Sequence, residues 1–196
     1  PEEDVLKLWQ GLGYYSRARN LHRGAQYIRD ALGGSLPGTF QAWLQVPGVG
    51  RYTAGAVASI ACGEAVPAVD GNVMRVAARL FARGEDIAQP RTRLLVEELV
   101  RPLIPPGQTA AFTQALMELG ACVCVPNPRC LACPLLGQCR ARAQGLEHEL
   151  PVKTKKASQR NVSRTVLIAR RGEEVLLRQR PRRGLLAGLW EFPGWE

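Results

Sequence analysis

Apolar positions in the first 120 residues recur at helical intervals. Leu21, Ala25, Ile28 and Leu32 fall at i, i+4, i+7 and i+11; Val73, Val76, Ala77, Leu80 and Phe81 form a second stripe; Phe112, Ala115, Leu116 and Leu119 form a third. Each spacing places its members on one face of a helix. The breaks carry turn residues: Gly33-Gly34, Pro37-Gly38, Pro47-Gly48 and Pro105-Pro106-Gly107. Before residue 160 no stretch alternates with a period of two for long enough to predict a strand. The pattern therefore predicts a mainly α domain over residues 1–142.

The texture then changes. Residues 150–162 (LPVKTKKASQRNV) are polar, basic and aperiodic, and a linker is expected over 143–162. RTVLIARRGEEVLLRQRP reads as two strands around Arg171-Gly172-Glu173. An isolated hairpin is marginal in water, so residues 163–196 are expected to open a second domain.

Composition narrows this picture a little. A chain of 196 residues with 46% hydrophobic content suffices for one full domain and part of another. No apolar run approaches a membrane span. The chain starts without Met at PEEDVLKLW, inside an expected helix, so a preceding segment is expected to be missing. The net charge of +9 is uneven: residues 1–150 carry 15 Lys/Arg against 13 Asp/Glu, and residues 151–196 carry 11 against 4. A basic chain suits nucleic acid, but most of this excess lies in the tail, where a solvated linker explains it equally well.

Cysteine spacing is more specific. Cys124, Cys130, Cys133 and Cys139 sit in CVPNPRCLACPLLGQC, as C-x5-C-x2-C-x5-C. Four thiolates in 16 residues can close on one soft centre, either tetrahedral zinc or a 4Fe–4S cluster. Two zinc knuckles would repeat C-x2-C on both sides, whereas only the central pair has that spacing. A disulfide framework would suit a short, cysteine-dense secreted chain, and this chain is neither short nor cysteine-dense outside 122–139. Cys122 competes with Cys124 as first ligand. Cys62 stands alone and reads as a small buried hydrophobe.

The run QAWLQVPGVGRYTAGAVASIA, residues 41–61, reads as helix, Pro-Gly-Val-Gly turn, helix. Gly48 and Gly50 allow a tight turn and close backbone approach. The following helix start offers free N–H groups and a positive dipole end to a phosphate. The alternative is an ordinary helical corner. Asp70, in AVPAVDGNVMRVAARL, is either a helix cap or a catalytic carboxylate. Tyr52 alone reads as packing. Tyr14-Tyr15 beside arginines suit base stacking and phosphate contact, or simple core. His22 and His148 are isolated.

Taken together these pieces resemble the helix-hairpin-helix DNA glycosylases that carry an iron–sulfur cluster. WQGLGYYSRARNLHRGA, VPGVGRYTAGAV, VPAVDGNVMRV and LGACVC resemble, within them, the MutY-type adenine DNA glycosylases. The resemblance covers residues 1 to about 142. TVLIARRGEEVLLRQRPRRGLLAGLWEFP looks like the opening of that family's Nudix-like α/β C-terminal domain.

The resemblance implies a monomeric, monofunctional hydrolase. It would remove adenine paired with 8-oxoguanine or guanine in double-stranded DNA, away from membranes, in the cytoplasm at the nucleoid if the source is bacterial. It implies a 4Fe–4S cluster on Cys124, Cys130, Cys133 and Cys139. Asp70 would steady the sugar cation with Tyr52 in support. Pro47, Gly48, Val49, Gly50 and Thr53 would hold the DNA backbone, and Leu12 and Tyr14 would form a wedge beside the lesion. Three departures accompany it. The first cysteine interval is one residue short of the family's. No glutamate matches the family's general acid, which lies upstream, so the chain alone is expected to be inactive. The C-terminal domain stops before its lesion-reading loop. Endonuclease III-like lyases carry a lysine where this chain has Tyr52, which disfavours that alternative. A non-catalytic DNA-binding module with structural zinc is the reading from another class.

Overall fold

The computed structural model describes residues 1–154, 161–181 and 183–195. They fall into two compact units, Pro1–Lys155 and Lys156–Glu196.

The first unit is helical: α1 (Glu2–Leu8), α2 (Ser16–Ala31), α3 (Phe40–Trp43), α4 (Arg51–Ala61), α5 (Gly71–Leu80), α6 (Pro90–Val100), α7 (Thr109–Glu118) and α8 (Arg140–Ala143). Local chemistry sets several starts. Thr39 caps α3 by accepting from Ala42 N, Asp70 caps α5 by accepting from Val73 N, and Pro90 opens α6, where its missing N–H costs nothing. α7 runs into a π-helical turn, Leu119–Val123, just before Cys124. Such π turns are rare and tend to mark functional sites.

Two apolar cores organise the unit. Phe40, Trp43, Val46, Ala54, Ala58 and Val66 pack around α3 and α4. Val69, Val73, Met74, Ala77, Val96 and Val100 pack between α5 and α6, with Phe112 and Leu116 of α7 against them. The buried run Val66–Val69 leads from one core to the other and ends at Asp70. α4 lies directly on this run: a Cβ on Gly55 would sit 2.6 Å from the Pro67 carbonyl oxygen. Close packing through a glycine thus fixes the hairpin relative to Asp70.

The α5 stripe is buried through Val73, Val76 and Ala77 as its spacing predicts. The α2 stripe is buried only in part: Ile28 packs against the α3–α4 core and Leu32 is half-buried. Leu21 is 61% exposed and Ala25 is exposed, whereas Ala18 and Gly24 are buried. Here the small face packs, because a Cβ on Gly24 would meet Val46 Cγ1 at 3.2 Å.

Residues 143–154, expected to open the linker, are fastened to the helical unit. Leu150 is buried, Ile87 N donates to Val152 O at 3.0 Å, and Thr154 N donates to Asp86 Oδ1 at 3.2 Å. The burial of one leucine and the partnered backbone explain the difference from the polar pattern. Linker residues 155–160 lie outside the described residues.

In the second unit the expected turn falls at Gly172, whose φ is +62°. It joins β2 (Arg170–Arg171) to β3 (Glu174–Val175). The hairpin stops there. β4 (Arg178–Gln179) pairs with β5 (Trp190–Glu191), and β1 (Thr165–Val166) pairs with β6 (Gly194–Trp195), all antiparallel.

Candidate functional site

Asp70 takes the first of the two roles that the sequence offered it. It is a helix cap, with Oδ1 accepting from Val73 N at 2.8 Å. Its other oxygen, Oδ2, accepts from Asn72 Nδ2 at 3.1 Å. Arg93 of α6 donates to the carbonyl of the preceding residue, Val69, at 3.1 Å. The carboxylate is therefore oriented from both sides, and it remains partly exposed.

A second line of contacts ties Asp70 to the cysteine loop. Arg75 Nη2 donates to Asn72 Oδ1 at 2.9 Å and to Gly120 O at 2.7 Å, and its Nε donates to Cys124 O at 2.6 Å. The chain of groups runs Asp70, Asn72, Arg75, Cys124. The π turn makes it possible by bringing Gly120 against Asn72. Residue spacing gave no sign of this relay, although every member lies in a motif that the sequence singled out.

Gly48 has φ +85°, and a Cβ there would sit 2.6 Å from Asn20 Cβ. The turn thus requires glycine for conformation and for space. Gly50 is different. It is extended (φ −93°, ψ 173°), with nothing near its flank, so its bareness leaves room outside the turn. No side chain caps α4, and its start faces that open flank. Pro47 and Thr53 are exposed and Val49 is half-buried. Tyr52 is 39% exposed. Arg51 holds this corner in place: it pairs with Glu97 of α6 and lies 5.3 Å from the centre of the Phe40 ring. The hydrogen bond to Glu97, with that carboxylate's charge, raises its guanidinium above the ordinary arginine range against the effect of burial.

Leu12 and Tyr14 are 62% and 83% exposed. Their loop is braced from within. Trp9 Nε1 donates to Gly13 O at 3.1 Å, and Arg17 stacks on both Trp9 and Tyr14. Tyr14 is left-handed, with φ +47°. Non-glycine residues adopt this conformation uncommonly.

Cys124, Cys130, Cys133 and Cys139 line one hollow of about 30 Å³ that opens to solvent. None of the six cysteines is disulfide-bonded. Cys122 is exposed and does not line the hollow; Cys62, expected to be buried, is also exposed, its thiol lying toward Pro37 O at 3.8 Å. The hollow is closed by Arg79 of α5, a buried guanidinium. It donates to Cys124 Sγ at 3.4 Å, Val125 O at 2.6 Å, Pro126 O at 2.8 Å and Leu150 O at 2.8 Å. Burial and then the Glu147 charge push the Cys130 thiol up from its ordinary value, against a pull from Arg142. Among the described residues no group of three or more His, Cys, Asp or Glu is drawn together tightly enough to hold a single metal ion. Four soft donors around one space, with a fixed cation beside one of them, fit a thiolate-held cluster.

Residues 1–102 match the family model described as HhH-GPD superfamily base excision DNA repair protein. The chain is 38% identical to a human adenine DNA glycosylase, over 99% of this chain and 44% of that protein. It is 42% identical to the adenine DNA glycosylase of Arabidopsis thaliana, over 98% and 33%. The chain thus spans less than half the length of these relatives. Among solved structures it resembles a thermostable thymine-DNA glycosylase (TM-score 0.65, 31% identity, 74% of this chain and 67% of that one). It also resembles endonuclease III in a non-covalent complex with DNA (TM-score 0.61, 30% identity, 74% and 67%). With its hairpin, its capped aspartate and its thiol-lined hollow, the chain belongs to the HhH-GPD superfamily of base excision DNA repair proteins.

Proposed function

We propose that the chain is the core of an adenine DNA glycosylase that hydrolyses the N-glycosidic bond of adenine paired with 8-oxoguanine or guanine. The observation that carries this reading is the Asp70 carboxylate, held by Val73 N and Asn72 Nδ2 in a chain whose sequence relatives are named adenine DNA glycosylase.

The target base must leave the duplex, at a cost of a few kcal/mol. Leu12 and Tyr14 occupy the gap it leaves. The open start of α4 and the Gly48–Gly50 turn take the phosphates, which position the duplex without reading its sequence. As the bond to adenine lengthens, positive charge grows on the sugar. Asp70 meets that charge with a preoriented carboxylate, as in glycoside hydrolysis. Tyr52 shapes the pocket and offers no amine, so the product is an abasic site without an imine. The acid that protonates adenine is assigned to a segment N-terminal to this chain. The thiolates of Cys124, Cys130, Cys133 and Cys139 would hold a 4Fe–4S cluster, which supplies a rigid cross-link and local charge. Through Arg75, the loop that they anchor keeps Asn72, and hence Asp70, in place.

The test is single-turnover excision on an adenine·8-oxoguanine duplex by the protein carrying this chain. Asp70→Asn is expected to bind the duplex as the parent does and to release no base. Release at near-parental rates would reduce Asp70 to a helix cap. Borohydride trapping of a protein–DNA adduct would instead favour the lyase chemistry.

A further inference from the structure

Arg142 and Glu147 stand on the rim of the thiol hollow, and the reading above gives them no role. They pair with each other, but unequally. The Arg142 side chain is 47% exposed and that of Glu147 is 5% exposed. One Glu147 oxygen, Oε1, accepts from Arg142; the other, Oε2, is buried without a hydrogen-bond partner. A buried carboxylate oxygen without a donor is costly and calls for an explanation.

The inequality has an electrostatic consequence. Water and salt screen the Arg142 charge, whereas the Glu147 charge acts on the hollow largely through protein. The pair is neutral by count and negative in its field at the thiols. Arg79 acts in the opposite sense, donating to Cys124 Sγ. Net charge and hydrogen bonds to the ligand sulfurs set the potential of an iron–sulfur centre. An electron added to a cluster beside Glu147 is repelled by it.

Resting on the cluster reading, we propose that Glu147 sets the reduction potential of the centre held by Cys124, Cys130, Cys133 and Cys139, keeping it low so that the centre rests in its oxidised form. Arg142 orients the Glu147 carboxylate, and its own opposing field, weakened by solvent, offsets that of Glu147 only in part.

The experiment begins with iron and acid-labile sulfide on the anaerobically purified protein. A parent without them ends the cluster reading and this inference with it. With a loaded parent, the centre is titrated with dithionite and mediators and followed by absorbance and electron paramagnetic resonance. For Glu147→Gln, the reduced-to-oxidised ratio at a fixed potential is expected to rise about tenfold, an upward shift of about 59 mV for one electron. Arg142→Gln combined with Glu147→Gln, which leaves no unpaired arginine, is expected to shift it upward by a smaller amount. An unchanged potential in Glu147→Gln overturns the inference, and so does a shift that vanishes in the double variant, because the pair would then act as a neutral unit. Loss of iron from both variants overturns it as well, because the pair would then be only a structural closure.

Discussion

Gly120→Ala tests the link between the cysteine loop and Asp70 with a single methyl group. Gly120 is buried in the π turn, and a Cβ there would lie 2.7 Å from Asn72 Cβ and 3.1 Å from the Asn72 carbonyl carbon and oxygen. Carbon atoms pack at about 3.5–4.0 Å, so something must move by about 1 Å. The backbone of Gly120 is not left-handed, so the effect is steric alone. Two responses are open. The start of α5 can shift, carrying Asn72 Nδ2 off Asp70 Oδ2. Alternatively the π turn can shift, drawing Gly120 O away from Arg75. Overpacking of this kind costs about 1–3 kcal/mol, which should appear as a lower urea midpoint in tryptophan fluorescence. A misplacement of about 1 Å at a reacting group lowers rates by about 100-fold, so single-turnover excision should fall by that order while duplex affinity holds. Removing the struck atom with Asn72→Gly in the same protein should recover part of the lost stability. Gly120→Ala with parental stability and excision would refute the argument that contact at Gly120 positions Asp70.

Three further outcomes are expected. Cys124→Ser should lose iron and sulfide whereas Cys122→Ser keeps them, since Cys124 lines the hollow and accepts from Arg79 while Cys122 faces outward; metal analysis of the two proteins decides it. Gly48→Val meets Asn20 at 2.6 Å and forces a β-branched residue to φ +85°, so affinity for mismatched and matched duplexes should fall alike, and unchanged affinity would make the hairpin a mere corner. In the second unit burial pushes Glu191 up, but Arg164, Arg180 and Arg178 outweigh it and hold the group at about 2 against an ordinary 4.5; its contribution is therefore present above about pH 4.5 and lost as pH falls toward 2, so acid unfolding followed by Trp190 and Trp195 fluorescence should flatten in Glu191→Gln.

The parts of the site that were legible in the sequence are those where one residue type answers one local demand. Asp70 caps a helix, Gly48 takes a left-handed turn, and the cysteine spacing encloses a hollow. Illegible were the contacts that close through backbone. Arg75 and Arg79 look like polar members of an amphipathic helix, and nothing in their spacing says that they reach the carbonyls of Gly120, Cys124, Val125 and Pro126. The α2 register held only in part, for a related reason. Apolar periodicity assumes that large side chains make the interface, and Ile28 does so, but α2 is fully buried only at Ala18 and Gly24, where the backbone itself is the contact surface. The short, scattered strand pairs after residue 163 were illegible because alternation fixes neither partner nor length.

The same arginines explain why charge is a poor guide to what this chain binds. A basic chain suggests phosphate contacts, and the helical unit is rich in arginine. Many of those side chains are occupied internally. Arg51 pairs with Glu97, Arg142 pairs with Glu147, Arg93 and Arg101 reach the carbonyls of Val69 and Ala65, and Arg75 and Arg79 brace the cysteine loop. Guanidinium suits this work because five donors in a rigid fork can satisfy several carbonyls at once and stay charged while buried. A lysine could not do the same, having three donors on one nitrogen and a strongly hydrated charge that resists burial. Arginine in α5 therefore joins the two halves of the site, and under the proposed function the surface left for phosphate is one without formal charge, the bare Gly48–Gly50 turn and the uncapped start of α4.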